Sequence, residues 1–144
     1  KNSYFDGKLE FKIRKDGTFN SKISKQYIEK LKLIILKYFS NYKPKTKAKI
    51  KSAWIVIQKE GDYGVIHNHL PNDYSGIIYL KCPESINSST YPNGILNIID
   101  EEGVHSIPPI PGTIYFWPSN LNHLVYPFRG MGERKAISFN ICLI

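Results

Sequence analysis

The spacing of apolar residues divides the chain into a helical part and a longer β-rich part. After Ser24, apolar side chains recur every three or four residues at Ile28, Leu31, Ile35 and Tyr38, with lysines between them. This spacing predicts an amphipathic helix with Ser24 as its N-cap. We expect the apolar stripe of the helix to cover one side of a sheet.

The regions around this helix show other patterns. Tyr4 to Arg14 alternates between apolar and polar residues between two Asp-Gly turn signals, which predicts an edge strand or hairpin. Residues 41–51 are rich in lysine and contain Pro44, so we expect a basic loop there. Short runs of Ile, Val, Tyr and Phe then predict strands at Ala53–Lys59, Gly64–Leu70, Gly76–Cys82, Ile95–Asp100, Val104–Ile107, Thr113–Trp117, His123–Pro127 and Lys135–Leu143.

About eight short strands separated by turns are typical of a double-sheet jelly roll, whose mouth is a common ligand site. The predicted fold class is therefore mainly β, a jelly roll with an N-terminal supporting helix. At 144 residues the chain suits one domain. We expect residues 1–50 to form the N-terminal strand, helix and basic loop, and residues 51–144 to form the jelly-roll core.

The formal net charge of +8 is unevenly distributed. Residues 1–60 contain 16 Lys and Arg against 5 Asp and Glu, whereas residues 61–144 contain 4 against 7. Lysines scattered over a helix and a loop are more typical of a solvated surface than of a nucleic-acid interface. We therefore expect no nucleic-acid partner, although the N-terminal part is basic.

Cysteine usage and apolar run length bear on the cellular compartment. Cys82 and Cys142 lie in apolar runs without C-x-x-C spacing, which is typical of reduced cysteines in an intracellular protein. No segment approaches the roughly 18 consecutive apolar residues of a membrane span, and the first residues do not resemble a signal peptide. We expect a cytoplasmic protein without a membrane partner, although a chain that begins at Lys1 fits a piece of a longer protein.

Three histidines form a candidate metal site. His67 and His69 lie two residues apart in a β-branched run, and a strand places residues i and i+2 on the same face. With His123 as a third ligand, three imidazoles and open coordination positions suit Fe(II), Zn(II), Ni(II) or Cu(II), and spacing alone does not choose among them. Asp73 is an alternative middle ligand, although turn capping is its more ordinary role. We expect the remaining histidine, His105, to be exposed.

Arg134 is a candidate anion-binding residue because it follows His123 by eleven positions, after a Gly-rich turn. If the two flanking strands pair as a hairpin, Arg134 lies level with the metal end of the sheet, and its planar fork matches a carboxylate. The two-residue period of a strand puts Ser138 and Asn140 on the same face, where a hydroxyl and an amide can contact the same anion.

The order of several short motifs gives a family resemblance. The H-x-H pair is followed by SGIIYL, by P-x-PGTIYFWPS, by H-x-V-x-PF and by GER-x-AISFN. Over roughly Trp54 to Ile141 this order resembles the Fe(II)- and 2-oxoglutarate-dependent oxygenases, in particular the prolyl-hydroxylase-like and phage-type branch. The resemblance implies a double-stranded β-helix, Fe(II) and 2-oxoglutarate as cofactors, and host cytoplasm as the location if the chain is phage-encoded.

Carried onto this chain, the resemblance implies that His67 and His123 are metal ligands and that Arg134 anchors 2-oxoglutarate. It implies a helper role in cosubstrate binding for Ser138. Tyr79 and Asn140 are further candidates from their strand positions, although a buried strand tyrosine more often simply packs. The chain has His69 where the general family has a carboxylate, which leaves the metal site one charge more positive. The implied activity is dioxygen-dependent hydroxylation of an amino acid, a peptide or protein side chain, or a small metabolite.

Two other functions fit the same residues. One is a three-histidine, cupin-type dioxygenase that does not use 2-oxoglutarate, in which Arg134 binds a substrate carboxylate directly. The other is a non-catalytic jelly roll that binds a metal or ligand. In that case the lysine-rich N-terminal part is a docking surface for an acidic partner.

Overall fold

A computed structural model of the chain describes residues 8–12, 25–87 and 94–144. Strands dominate, as the apolar pattern predicts. In chain order the elements within these residues are β1 (Lys8–Lys12), α1 (Lys25–Tyr42), β2 (Ala48–Gln58), β3 (Gly64–His67), β4 (Tyr74–Lys81), α2 (Glu84–Asn87), β5 (Leu96–Asp100), β6 (Gly103–Ile107), β7 (Ile114–Pro118), β8 (Asn122–Val125) and β9 (Arg134–Leu143).

The strands form two antiparallel sheets. The larger sheet has the order β1-β2-β9-β4-β7, and the smaller sheet has the order β3-β8-β5-β6. Apolar side chains from both sheets, including Ile77, Leu96, Trp117 and Val125, form a shared core. This arrangement confirms the predicted mainly β fold, a double-stranded β-helix with one supporting helix.

Helix α1 covers the outer face of the larger sheet. Its buried Ile35 and Phe39 pack against Ile137, Phe139 and Ile141 of β9. The predicted stripe is correct at Leu31 and Ile35 but wrong at Tyr38, which is 48% exposed, because the neighbouring Phe39 faces the sheet instead. The predicted N-cap, Ser24, and most of the predicted N-terminal hairpin lie outside the described residues. Within the described residues, no helix is both long and apolar enough to cross a membrane.

Strand β9 presents one set of side chains to α1 and the other set to the space between the two sheets. Its odd-numbered residues face α1, so the even-numbered residues Arg134, Ala136, Ser138 and Asn140 face the smaller sheet. The two-residue period predicted this shared face correctly. The even-numbered side chains therefore lie inside the double-stranded β-helix.

Two local predictions were wrong. The basic loop is shorter than residues 41–51, because α1 continues to Tyr42 and β2 begins at Ala48. The supposed hairpin between β8 and β9 does not exist, because β8 pairs with β3 and β5 while β9 pairs with β2 and β4. Both edges of each strand are thus occupied, and residues 126–133 cross from one sheet to the other.

Candidate metal centre

Three imidazoles converge at one end of the β-helix. His67 ends β3 and lies opposite His123 of β8, and one ligand atom from each of His67, His69 and His123 lies within 4.8 Å of the others. His69 is not on a strand, as the H-x-H spacing predicted, but in the loop after β3. This loop turns its side chain back toward the other two.

Backbone hydrogen bonds orient two of the three rings. The Nδ1 atom of His67 lies 2.7 Å from the carbonyl oxygen of Val65, and Nδ1 of His123 lies 3.3 Å from that of Leu121. A carbonyl oxygen only accepts, so each Nδ1 carries the proton and each Nε2 keeps its lone pair. A histidine ligand fixed by a hydrogen bond at its other nitrogen is the usual arrangement in metal sites.

His69 is held differently. Its ring stacks on His123, with centroids 4.9 Å apart and an interplanar angle of 28°, and tilts against Trp54 at 5.7 Å. Its backbone nitrogen donates to the carbonyl oxygen of Ser119 at 2.9 Å, and its own carbonyl accepts from the Asn72 side chain at 2.6 Å. The peptide of His69 is therefore fixed on both sides. Trp54 of β2 therefore lies beside the histidine cluster.

The environment of the triad favours neutral imidazoles. Burial, reinforced by the charge of His67, lowers the pKa of His69 to about 4. Burial and the neighbouring charges of His67 and His69 lower the pKa of His123 to about 3. Burial also lowers the pKa of His67, against the effect of its bond to Val65. Only the neutral ring binds a metal, so all three are ready ligands at neutral pH.

These shifts predict a pH dependence of stability in the metal-free protein. His69 and His123 have an ordinary pKa of 6.5, so below that pH the unfolded chain binds protons that the folded chain does not. The free energy of unfolding therefore keeps its full value above pH 6.5 and decreases as the pH falls toward 4. We expect the free energy of unfolding to drop by on the order of 5 kcal/mol between pH 7 and pH 4.5, about half of it from each histidine.

Urea unfolding of chelator-treated protein at the two pH values measures this loss. His105→Ala is the control, because His105 is exposed and does not belong to the histidine cluster, and it should leave the loss unchanged. A His69→Phe,His123→Phe double variant should reduce the loss. A loss that is the same in the double variant would contradict the assignment to these two histidines.

The other candidate ligands lie elsewhere. Asp73 accepts a hydrogen bond from the backbone nitrogen of Leu143 at 2.8 Å, and it does not belong to the histidine cluster. His105 is exposed, as expected, and its Nε2 lies 2.8 Å from Asp100. The described residues contain one group of three or more His, Cys, Asp or Glu side chains that could hold a metal ion. It consists of His67, His69 and His123.

Arg134 is buried among neutral partners. It is 1% exposed, and its guanidinium donates to Oε1 of Gln58 and, at 3.3 Å, to the hydroxyl of Tyr79. Its guanidinium carbon also lies 5.0 Å from the centroid of the Tyr79 ring. Sequence reasoning missed Gln58, although the residue is polar at the end of an apolar strand. Its position opposite Arg134 depends on the pairing of β2 with β9.

A cavity connects the histidines with the arginine. His69, His123, Trp117, Arg134 and Ser138 are among the residues that line it. Two buried donors of these residues, Nε of Arg134 and Nε1 of Trp117, have no hydrogen-bond partner in the described structure. Unpaired buried donors are costly, so this lining suits a ligand rich in acceptor oxygens. Trp117, which packs in the core between the sheets, is also part of the cavity wall.

Asn140 lies on the predicted face but not in the cavity lining. Its side-chain oxygen accepts from Ser75 at 2.9 Å, and its side-chain nitrogen donates to Ser52 at 3.1 Å. Tyr79 thus contacts Arg134, and Ser138 lines the cavity at the register position of Trp54, while the amide of Asn140 is engaged elsewhere. A cosubstrate role for Asn140 stays a prediction that its contacts do not support.

Comparisons with known proteins agree with this geometry. The sequence profile of a family described as "Putative 2OG-Fe(II) oxygenase" matches residues 52–140, well over half of the chain. No curated protein matches the sequence.

Solved structures show the same fold at low identity. An oxidoreductase of the 2OG-Fe(II) oxygenase family from Burkholderia pseudomallei has a TM-score of 0.66 at 14% identity, over 85% of this chain and 60% of that one. A Pseudomonas putida prolyl-4-hydroxylase gives 0.58 at 16%, over 84% and 63%. The 2OG complex of a viral collagen prolyl hydroxylase from Paramecium Bursaria Chlorella virus-1 gives 0.63 at 18%, over 94% and 79%. The chain thus spans about 60% of the first two structures' length.

Proposed function

Because the chain belongs to the 2OG-Fe(II) oxygenase family, we propose that it is a hydroxylase of an amino acid, a peptide or protein side chain, or a small metabolite. The cofactors of this family are Fe(II) and 2-oxoglutarate. The observation that carries the proposal is that one cavity joins the histidine cluster to a buried arginine. One end suits a metal ion and the other suits a carboxylate.

The metal end fits Fe(II) through its donor set. His67 and His123 would bind through Nε2, since Nδ1 of each faces a backbone carbonyl, and His69 would complete the set. Three imidazoles leave coordination positions open for other ligands. Bound Fe(II) supplies the redox chemistry that couples oxidation of 2-oxoglutarate to succinate and CO₂ with insertion of one oxygen atom of O₂ into a substrate C–H bond.

The arginine end fits the distal carboxylate of 2-oxoglutarate. In the part of the chain that the structure describes, no carboxylate lies within ion-pair distance of Arg134. A cation that is 1% exposed and paired only with neutral groups is costly, and an incoming carboxylate would remove that cost. Gln58 and Tyr79 hold the guanidinium in place. Ser138 lines the same cavity, and its hydroxyl is the helper that we propose for cosubstrate binding.

The side chains around the cavity have three further tasks in the proposed reaction. Trp117 and the apolar side chains of both sheets exclude water from the cavity. Arg134 holds the cosubstrate at a fixed distance from the histidines, so that its other end meets the metal in one orientation. The lowered pKa values of His69 and His123 keep both imidazoles neutral at neutral pH, so that each retains one nitrogen lone pair for the metal.

We expect the Fe(II)-loaded protein to show a weak visible charge-transfer band when 2-oxoglutarate is added without oxygen, and to release succinate when oxygen is admitted. Anaerobic titration followed by measurement of succinate tests both. Tight metal binding without a band or succinate would overturn the proposal. It would favour the second candidate, a three-histidine dioxygenase that does not use 2-oxoglutarate, which the all-imidazole ligand set also suits.

A further inference from the structure

His69 differs from the other two histidines in how it is held. The rings of His67 and His123 each have Nδ1 next to a backbone carbonyl. In the described structure, no protein atom is hydrogen-bonded to the ring of His69. Its orientation therefore depends on ring stacking and on the position of its backbone, which the carbonyl of Ser119 fixes at 2.9 Å.

Ser119 is itself the end of a row of buried polar side chains. Its hydroxyl lies 2.7 Å from that of Ser75, which donates to the side-chain oxygen of Asn140 at 2.9 Å. Asn140 then donates to the hydroxyl of Ser52 at 3.1 Å. The proton of Ser75 is used toward Asn140, so Ser119 is the donor in the first bond. Every member of this row has a partner.

The row crosses the larger sheet in one line. Ser52 lies on β2, Asn140 on β9 and Ser75 on β4, at mutually paired register positions, and Ser119 directly follows β7. Ser119, Ser75 and Asn140 are 0%, 1% and 6% exposed. Buried polar side chains destabilise a protein unless their hydrogen bonds are all formed. Once formed, these bonds hold the side chains in a single arrangement.

We propose that Ser52, Asn140, Ser75 and Ser119 form a positioning network that sets the His69 imidazole for metal binding. The network holds Ser119, and the carbonyl of Ser119 holds the backbone of His69. The network thereby fixes the orientation of the His69 ring, as a hydrogen bond to Nδ1 fixes the rings of His67 and His123. The inference rests on the proposed metal-binding role of the triad, but not on any reaction with 2-oxoglutarate.

The network makes a prediction about metal affinity. Replacing Ser75 with alanine deletes one hydroxyl and cuts the row in its middle, without touching a histidine. Loss of a partner that orients a ligand typically weakens metal binding 10- to 100-fold. We therefore expect Ser75→Ala to weaken Co(II) binding at least tenfold and to change the visible spectrum of the Co(II) complex, whose bands report ligand geometry.

The chain offers a matched control. Ser106 donates to the side-chain oxygen of Asn97 at 2.7 Å, a Ser–Asn bond of the same kind in the smaller sheet. Ser106→Ala should leave Co(II) affinity and the Co(II) spectrum unchanged. Thermal unfolding of the metal-free variants shows whether each is folded, and a loss of stability shared by both variants does not count as positioning.

Asn140→Leu is a second variant, in case Ser75→Ala does not fold. It keeps the approximate volume and breaks the same row one strand away, so we expect the same loss of Co(II) affinity. If folded Ser75→Ala and Asn140→Leu bind Co(II) as the wild type does, the positioning network is wrong while the proposed metal site stands. If the wild type itself binds no Co(II), both proposals fail.

Discussion

Replacing His123 with alanine should abolish succinate formation and weaken Fe(II) binding by at least 100-fold. The ring of His123 contacts that of His67, at 4.3 Å between centroids, and stacks on that of His69 at 4.9 Å. Its loss leaves two imidazoles, one of which has also lost its stacking partner. Because changes to residues that merely support a ligand already cost 10- to 100-fold, loss of a ligand should cost more.

The control is the fourth histidine of the chain. His105→Ala removes an exposed imidazole that pairs with Asp100, so it should leave both metal affinity and turnover at the wild-type level. Isothermal titration with Fe(II) under argon measures the first quantity, and succinate release measures the second. Equal losses in the two variants would mean that the cluster is not the metal site.

The fold and the anchor points of the site could be predicted from the sequence because they depend on local periods. A two-residue period places Arg134 and Ser138 on one face of β9, wherever β9 lies in the sheet. The three- and four-residue period of α1 likewise predicted its buried face at Leu31 and Ile35, although Phe39 rather than Tyr38 is the next buried residue. Predictions from such patterns do not depend on which strands are neighbours. The shared face of β9 was predicted correctly although the β8–β9 hairpin was wrong.

The parts that could not be predicted depend on contacts between distant segments. Gln58 partners Arg134 only because β2 pairs with β9 across 76 residues of sequence. The H-x-H spacing indicated two ligands on one strand, whereas β3 ends at His67 and a loop carries His69. That loop is held by a backbone hydrogen bond from His69 to Ser119, fifty residues further along the chain. No local pattern contains such information.

The electrostatics of the cavity link the two ends of the site. None of the three histidines carries a negative charge, so a bound divalent metal would keep its full positive charge, and Arg134 adds a buried cation in the same cavity. The described cavity lining therefore contains no negative charge to balance either the metal or Arg134. A dianion such as 2-oxoglutarate would supply it to both, which makes metal and cosubstrate binding mutually supportive.

Arg134→Ala should raise the apparent KM for 2-oxoglutarate at least 100-fold, with a smaller change in the affinity for Fe(II) alone. Removing one partner of a buried charge pair costs about 3–5 kcal/mol, which corresponds to a factor of more than 100. Arg134→Lys keeps the charge but loses the fork that reaches Gln58 and Tyr79, so we expect an intermediate KM. Initial rates of succinate release at varied 2-oxoglutarate measure these values.

Lys135→Ala is the matched control for this prediction, because it removes the neighbouring cation of the same strand. Lys135 is on the opposite face of β9 from Arg134, and its Nζ lies 3.4 Å from Glu133, so its loss should leave KM unchanged. Because Arg134→Ala also leaves Gln58 and Tyr79 with fewer partners, its fold is checked by thermal unfolding before kinetics. A folded Arg134→Ala protein with the wild-type KM would show that the cosubstrate carboxylate binds elsewhere in the cavity.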